Sequence, residues 1–117
     1  MKWGFIMCAL LATGCEPDMT TPWARSVILR EAVKKTILSA ANDPESVEFR
    51  NWRFDPDRGV SCGEFNGRNG FGGKAGFTGF IFTTSGYALE QEDSAKYLSM
   101  LPTCGTALPQ GQLSGAP

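Results

Sequence analysis

The stretch of sequence that most constrains the fold runs from Thr21 to Asn42. Thr21-Pro22 is typical of a helix start, because threonine caps the first turn and proline fits the first helical position. Apolar residues then recur at spacings of three and four: Trp23, Val27, Ile28, Ala32, Val33, Ile37, Leu38 and Ala41. This pattern predicts an amphipathic helix over 21–42, whose apolar stripe we expect to face a sheet. Contact with a membrane surface or a partner helix is the alternative.

Three short strands are predicted after this helix. Asp43-Pro44 separates them from the helix, since the residue before a proline disfavours helical angles. The strand candidates are 47–54 (VEFRNWRF), 60–65 (VSCGEF) and 77–84 (FTGFIFTT). In the first of them the apolar alternation changes phase, which predicts a β-bulge near Arg50-Asn51.

The rest of the chain predicts a second helix and a tail. Residues 92–101 (EDSAKYLSML) are helical in pattern, and Pro102 stops them. Residues 105–117 (GTALPQGQLSGAP) lack periodicity and are predicted to form a flexible tail. We therefore expect one small α+β domain over 21–104, with an N-terminal helix, a three-stranded antiparallel sheet and a C-terminal helix.

Composition excludes several functional classes. The formal net charge is -1, and basic and acidic residues are interspersed, so no nucleic-acid partner is predicted. The chain contains no histidine. This excludes Ser-His-Asp and Cys-His catalytic sites and an ordinary histidine-ligated zinc site. We predict neither a metal nor a cofactor, and no enzymatic activity.

Residues 1–14 are typical of an export signal. Lys2 precedes an apolar run over 3–12 (WGFIMCALLA), about as long as the core of a signal peptide. A transmembrane helix would need roughly 20 apolar residues. A buried core strand is the alternative, but it does not account for the polar break after Cys15.

Ala12-Thr13-Gly14-Cys15 resembles the lipobox of bacterial lipoprotein signals, in which leucine is commoner than alanine at the position of Ala12. The resemblance implies cleavage before Cys15, a lipid on its sulfur and a palmitate-type acyl chain on its new amino group. Residues 15–20 would then be a lipidated tether to the membrane. Glu16 in place of aspartate favours the outer membrane, facing the periplasm, over the inner membrane. Plain secretion and an uncleaved anchor are the alternatives.

Cysteine counting predicts one disulfide bond. The chain has four cysteines, at 8, 15, 62 and 104. Cys8 would leave with the signal and Cys15 would carry the lipid. Cys62 and Cys104 then remain in a compartment that permits disulfides. A redox or nucleophilic pair is the alternative, although the sequence has no CxxC motif.

Residues 63–79 (GEFNGRNGFGGKAGFTG), the glycine-rich segment, contain seven glycines. Residues 70–75 match G-x-G-x-x-G/A, but a nucleotide-binding motif of this kind opens a helix, whereas a strand is predicted here. We therefore predict no nucleotide. The glycines serve turns and bulges in one interpretation. In the other, the segment is a recognition loop with these side chains: Asn66, Arg68, Asn69, Phe71 and Lys74.

About a third of the chain, over residues 43–82, is similar to a family of small exported proteins of bacterial genomes and prophages. The family pattern is roughly DPxSxxFRN…CGxxNxKNxxGGYxGF. The matching residues are Asp43-Pro44-Glu45-Ser46, Phe49-Arg50-Asn51, Cys62-Gly63-Glu64-Phe65-Asn66, Asn69, Gly72-Gly73 and Gly76-Phe77. Arg68 and Lys74 stand where lysine and tyrosine are more usual. The family brings no activity, but suggests one polar cluster, which could also simply hold the segment in place: Arg50, Asn51, Glu64, Asn66 and Asn69.

These features favour a non-catalytic envelope lipoprotein that binds a protein partner. Candidate roles are phage superinfection exclusion and immunity against an envelope-acting toxin. The expected partner-binding residues are Arg50, Asn51, Glu64, Asn66, Arg68, Asn69, Phe71 and Lys74. One alternative is a lipoprotein that recognises peptidoglycan or lipid. Another is an envelope enzyme that acts on glycans through Glu64 with Asp55 or Asp57.

Overall fold

A computed structural model describes residues 20–41, 43–66 and 76–117. Its helices and strands are α1 (Pro22–Ala40), β1 (Glu48–Asp55), β2 (Val60–Asn66), β3 (Thr78–Thr83), β4 (Gly86–Leu89) and α2 (Ser94–Met100). Short 3-10 helices cover Pro44–Ser46, Leu101–Thr106 and Gln110–Gln112. The strands form one antiparallel sheet in the order β1-β2-β3-β4. The predicted α+β class and the second helix are confirmed, but the sheet has four strands rather than three.

The unpredicted strand β4 is only four residues long. It follows β3 after the two-residue turn at Thr84 and Ser85, and Thr83 pairs with Gly86. Phe82 lies opposite Tyr87, and their rings stack with centroids 4.8 Å apart. The strand depends on pairing with β3 rather than on a long alternating pattern of its own, which is why the sequence did not show it.

Helix α1 matches its prediction in part. The Thr21 side chain accepts a hydrogen bond from the N–H of Ala24 at 3.1 Å, so the predicted cap is present. Val33 and Ile37 are buried against the sheet as expected, but Ile28 of the predicted stripe is 53% exposed. The reason is that the first half of α1 packs against the C-terminal residues rather than against the sheet.

Ser26 marks that contact on α1. It is completely buried, its Oγ donates to the carbonyl of Trp23 at 2.6 Å, and it accepts from Nε2 of Gln110 at 2.9 Å. The stripe predicted from apolar residues therefore omitted a buried position, because Ser26 is satisfied by hydrogen bonds.

The sheet is covered on both faces. On one face, Val33 and Ile37 of α1 pack on Phe65, Phe80 and Leu89. On the other face, α2 and the following 3-10 helix cover a second apolar cluster: Val60, Cys62, Ile81 and Cys104, with Tyr97 and Met100 beside them. The predicted disulfide bond between Cys62 and Cys104 is present in this second cluster. It joins the middle of the sheet to the layer that covers it.

The predicted bulge in β1 is confirmed. The pairing of β1 with β2 shifts register between Arg50 and Arg53, and Asn51 has a φ of 56°. The extra residue returns Trp52 to the side of the sheet that carries Phe49, and their rings stack 5.1 Å apart. Arg50 and Arg53 point to the opposite face, opposite Glu64 and Cys62 of β2.

Residues 105–117 do not project as the expected flexible tail. Leu108 exchanges two backbone hydrogen bonds with Phe54 of β1, at 2.8 and 2.9 Å, and Leu113 is buried. The N–H of Trp23 donates to the carbonyl of Ser114 at 2.9 Å. Long-range contacts of this kind order a segment without any sequence periodicity, so its composition alone was misleading.

Candidate functional site at the base of the glycine-rich segment

The sheet has two ends, and the glycine-rich segment joins β2 to β3 at one of them. Its residues 67–75 lie outside the described residues. Four of the expected partner-binding side chains are therefore not placed: Arg68, Asn69, Phe71 and Lys74. Cys15, the expected lipidation site, also lies outside the described residues. We call the described residues around its two ends the base of the segment: Arg50, Asn51, Glu64, Asn66, Gly76 and Phe77.

Glu64 lies at the centre of this base. Its Oε1 accepts a hydrogen bond from Nε of Arg50 at 2.7 Å and another from Nδ2 of Asn51 at 2.8 Å. The register places Arg50 directly opposite Glu64, and the bulge turns Asn51 toward the same carboxylate. Asn51 occupies the left-handed region, which asparagine tolerates better than most residues. The structure thus brings together three of the five residues of the expected polar cluster.

The charge state of Glu64 follows from these contacts. The hydrogen bond from Arg50 lowers the pKa of the Glu64 carboxyl, partial burial opposes this effect, and the bond from Asn51 lowers it further. The carboxyl is therefore ionised at neutral pH. In that state Glu64 acts as a hydrogen-bond acceptor that orients its neighbours, not as a proton donor.

The base also holds both ends of residues 67–75. Oδ1 of Asn66, at the end of β2, accepts a hydrogen bond from the N–H of Gly76 at 3.0 Å. The guanidinium carbon of Arg50 lies 3.7 Å from the ring centroid of Phe77, within the range of a cation–π contact. Arg50 therefore links the Glu64 carboxylate to the residue that leads into β3.

A surface pocket of about 380 Å³ lies beside the base. It is lined by Asn51, Trp52, Arg53, Gly63, Glu64, Tyr97 and Pro109. The Nε1–H of Trp52 is buried and has no acceptor among the described residues. The pocket combines aromatic, amide and charged groups on three different parts of the chain.

Nothing in the sequence pointed to Tyr97 as a site residue. Helix α2 carries it across the sheet so that its ring lies on Gly79, where a Cβ would be 2.5 Å from the ring carbon Cζ. Burial raises the pKa of the Tyr97 hydroxyl, and the negative charge of Glu90 adds to this. A glycine inside a strand indicates such a close approach. Gly79 was therefore a usable signal, although it does not say which residue approaches.

The structure does not bring Asp55 or Asp57 to Glu64. Asp55 pairs with Val60, four residues before Glu64 in β2, which corresponds to about 13 Å along the strand. Asp57 instead forms an ion pair with Arg25 at 2.7 Å. Paired catalytic carboxylates lie about 5–9.5 Å apart. The pair considered from the sequence is therefore not assembled in the fold.

Two further observations concern the described part of the chain alone. No group of three or more Cys, Asp or Glu side chains there is arranged to hold a metal ion. No helix within those ranges has both the length and the apolar character needed to cross a bilayer. Comparison of the chain with protein-family models, with curated proteins and with solved structures gave no match.

Proposed function

We propose that the chain is a non-catalytic lipoprotein of the bacterial cell envelope, anchored through Cys15, which binds a protein partner with its glycine-rich segment. The observation that supports this most directly is the base of that segment. Asn66 bridges its two ends, and Arg50 connects Glu64 with Phe77. A segment presented from a fixed base loses less conformational entropy on binding than one with free ends.

The residue types around the base also favour a protein partner. Arg50 is exposed, and its guanidinium lies over the ring of Phe77. Arg53 and Tyr97 line the adjacent pocket. Arginine, tyrosine and tryptophan supply much of the binding energy at protein interfaces. The glycine-rich segment of the sequence contains two further residues of these types, Arg68 and Phe71.

The electrostatics favour binding over catalysis. A general acid needs a carboxyl with a raised pKa, whereas the pKa of Glu64 is lowered by Arg50 and Asn51. The carboxylates of Asp55 and Asp57 lie at the other end of the sheet. A role for Glu64 in orienting Arg50 and Asn51 accounts for its contacts without a chemical step.

The disulfide bond supports an oxidising compartment. Cys62 is completely buried and Cys104 is 6% exposed, so the bond is enclosed between the sheet and its covering layer. Structural disulfides of this kind persist in exported proteins and are rare in the cytosol of most cells. This agrees with the export signal and with lipidation at Cys15.

The direct test is crosslinking inside cells. A photoreactive amino acid at Phe71 should capture one reproducible envelope protein, identified by mass spectrometry. The matched control places the same group at Ile28, which is 53% exposed on α1. Failure to capture any protein from Phe71, or capture of the same proteins from both positions, would contradict the proposal.

A second test uses two arginines with equivalent contacts. Arg50 forms an ion pair with Glu64 at 2.7 Å, and Arg25 forms one with Asp57, also at 2.7 Å. The two pairs lie at opposite ends of the sheet. Arg50→Ala should abolish capture from Phe71, whereas Arg25→Ala should preserve it. Equal effects of the two substitutions would show that the base has no specific part in binding.

A further inference from the structure

A second pocket, of about 370 Å³, lies at the opposite end of the sheet from the glycine-rich segment. Two cations, Arg58 and Lys96, contribute to its wall together with the hydroxyl-bearing residues Thr83, Ser85 and Thr103. No carboxylate is found among the described residues that line it. Guanidinium, ammonium and hydroxyl groups are the donors that proteins use to bind phosphate oxygens.

Arg58 is held in place while part of its guanidinium is left for a ligand. Its Nη1 contacts the carbonyl of Thr103 at 3.3 Å, Oγ1 of Thr106 at 3.2 Å and the carboxylate of Asp55 at 3.7 Å. All of its side-chain hydrogen bonds and ion pairs within the described ranges use this one nitrogen. Lys96 is exposed and forms no ion pair with any described residue. Within the described ranges, the positive charge of the pocket that is not in an ion pair is therefore that of Lys96, while the other guanidinium nitrogens of Arg58 keep donor capacity.

The chain enters the domain beside this pocket. The guanidinium of Arg25 donates to the carbonyl of Thr20 at 3.1 Å and to the carboxylate of Asp57 at 2.7 Å. Asp57 directly precedes Arg58 in the β1–β2 turn, so Thr20 lies next to the turn that carries one of the two cations. From Cys15 to Thr20 an extended chain spans at most about 17 Å. A lipid on Cys15 would therefore keep this end of the sheet at the bilayer surface.

We propose that this pocket binds the phosphate group of anionic lipid headgroups, so that the domain stands with its Arg58–Lys96 end on the membrane. The orientation rests on the proposed function, because it requires the anchor at Cys15. Strand β2 has seven residues and spans about 20 Å from the pocket end to the base. The base of the glycine-rich segment would then lie at the end of the sheet that is farther from the membrane.

The phosphate site is tested by titration of inorganic phosphate against the full chain in zwitterionic nanodiscs. Nuclear magnetic resonance should show shifts of the Ser85 and Lys96 amide signals. Lys96→Gln should weaken this binding at least about tenfold, since it removes a charge-assisted bond. Lys35→Gln, on the exposed surface of α1, is the control and should leave the affinity unchanged. Both lysines are exposed, so neither substitution endangers the fold. Absence of amide shifts around the pocket would overturn the proposal.

The lipid source is tested with a spin label on the headgroups of the same nanodiscs. With phosphatidylglycerol present, the label should broaden the Ser85 signal strongly and leave Thr78, near the base, sharp. With phosphatidylcholine alone, this contrast should shrink. Broadening of the Thr78 signal instead, or broadening of the Ser85 signal that did not depend on phosphatidylglycerol, would overturn the proposal that the pocket binds lipid headgroups. If phosphate bound but the headgroup label did not broaden the Ser85 signal, the pocket would be a site for free phosphate.

Failure of this proposal can be distinguished from failure of the proposed function. Lipidation is measured separately, by incorporation of a clickable fatty acid at Cys15. An unlabelled Cys15 would overturn the proposed function, and the membrane orientation with it, whatever the phosphate titration showed. If Cys15 were labelled but phosphate caused no amide shifts around the pocket, the proposed phosphate site would be wrong and the lipid anchor would still stand.

Discussion

The disulfide bond between Cys62 and Cys104 should supply a large part of the stability of the domain. The two cysteines are 42 residues apart in sequence, and chain-entropy arithmetic for a loop of this length gives about 4 kcal/mol. A domain of about 100 residues has a total free energy of unfolding on the order of 5–10 kcal/mol. Loss of the bond should therefore remove roughly 40–80% of that stability.

The position of the bond adds a local consequence. Helix α2 has seven residues, too few to be stable in isolation. It is held on the sheet by Tyr97 and Met100 and by the disulfide just beyond its end. Without the bond we expect amide protection in α2 to fall more than in β2.

Urea unfolding of the oxidised protein and of the Cys62→Ala/Cys104→Ala variant measures the effect. With an m-value of about 1 kcal/mol/M, the midpoint should fall by about 3–4 M. The control is reductant, which should lower the midpoint of the parent protein and leave the double variant unchanged. A loss of less than about 1 kcal/mol would refute the loop-closure reasoning. On a non-reducing gel, the oxidised protein should run ahead of the reduced one.

Three further predictions test the packing and the site. Leu113→Ala should lower the free energy of unfolding by about 2 kcal/mol, because Leu113 is buried. Leu108→Ala is the control: its side chain is 44% exposed, so the free energy of unfolding should change by less than about 0.5 kcal/mol. If urea unfolding gave equally small changes in the free energy of unfolding for both variants, residues 105–117 would not be packed against the domain. Gly79→Ala should destabilise the domain by about 1–3 kcal/mol, because its Cβ would overlap the aromatic ring of α2, while Gly105→Ala meets nothing within 4 Å and is the control. A neutral Gly79→Ala in the same assay would contradict the close approach. Carbon NMR should place the pKa of the Glu64 carboxyl below its usual range. Because this pKa is lower in the folded than in the unfolded protein, the stability contributed by the ionised carboxylate is present above the unfolded pKa and is lost as the pH falls through the folded pKa. The stability difference between the parent and Glu64→Gln should therefore narrow in acid, and a difference independent of pH would refute the assignment.

Local signals in the sequence predicted the features that depend on neighbouring residues. The cap at Thr21 needs only the next helical turn, and the bulge at Asn51 follows from the phase change between Phe49 and Trp52. Part of the polar cluster was also predicted, although through a family pattern rather than from geometry. The contact of Arg50 with Phe77 was not, because it depends on the pairing of β1, β2 and β3.

Features that depend on distant parts of the chain were missed. Residues 105–117 have no periodic pattern, yet Leu108 pairs with Phe54 and Leu113 is buried. Ser26 was assigned to no buried stripe, because its burial depends on a hydrogen bond from Gln110. In each case the partner lies more than 50 residues away, and sequence spacing carries no information about such a pair.

The sequence alone was enough to predict the helix after Thr21, three of the four strands, the bulge and the cysteine pair, because each follows from local backbone preference or from counting reactive groups. The three-dimensional packing was needed to show that Tyr97 covers Gly79, that Asp55 and Glu64 lie at opposite ends of the sheet, and that the chain enters beside Arg58. The physical reason is that side-chain chemistry becomes a site only where the sheet register and the covering layers bring distant residues within contact distance. That register is fixed by packing of the whole domain, not by any one segment.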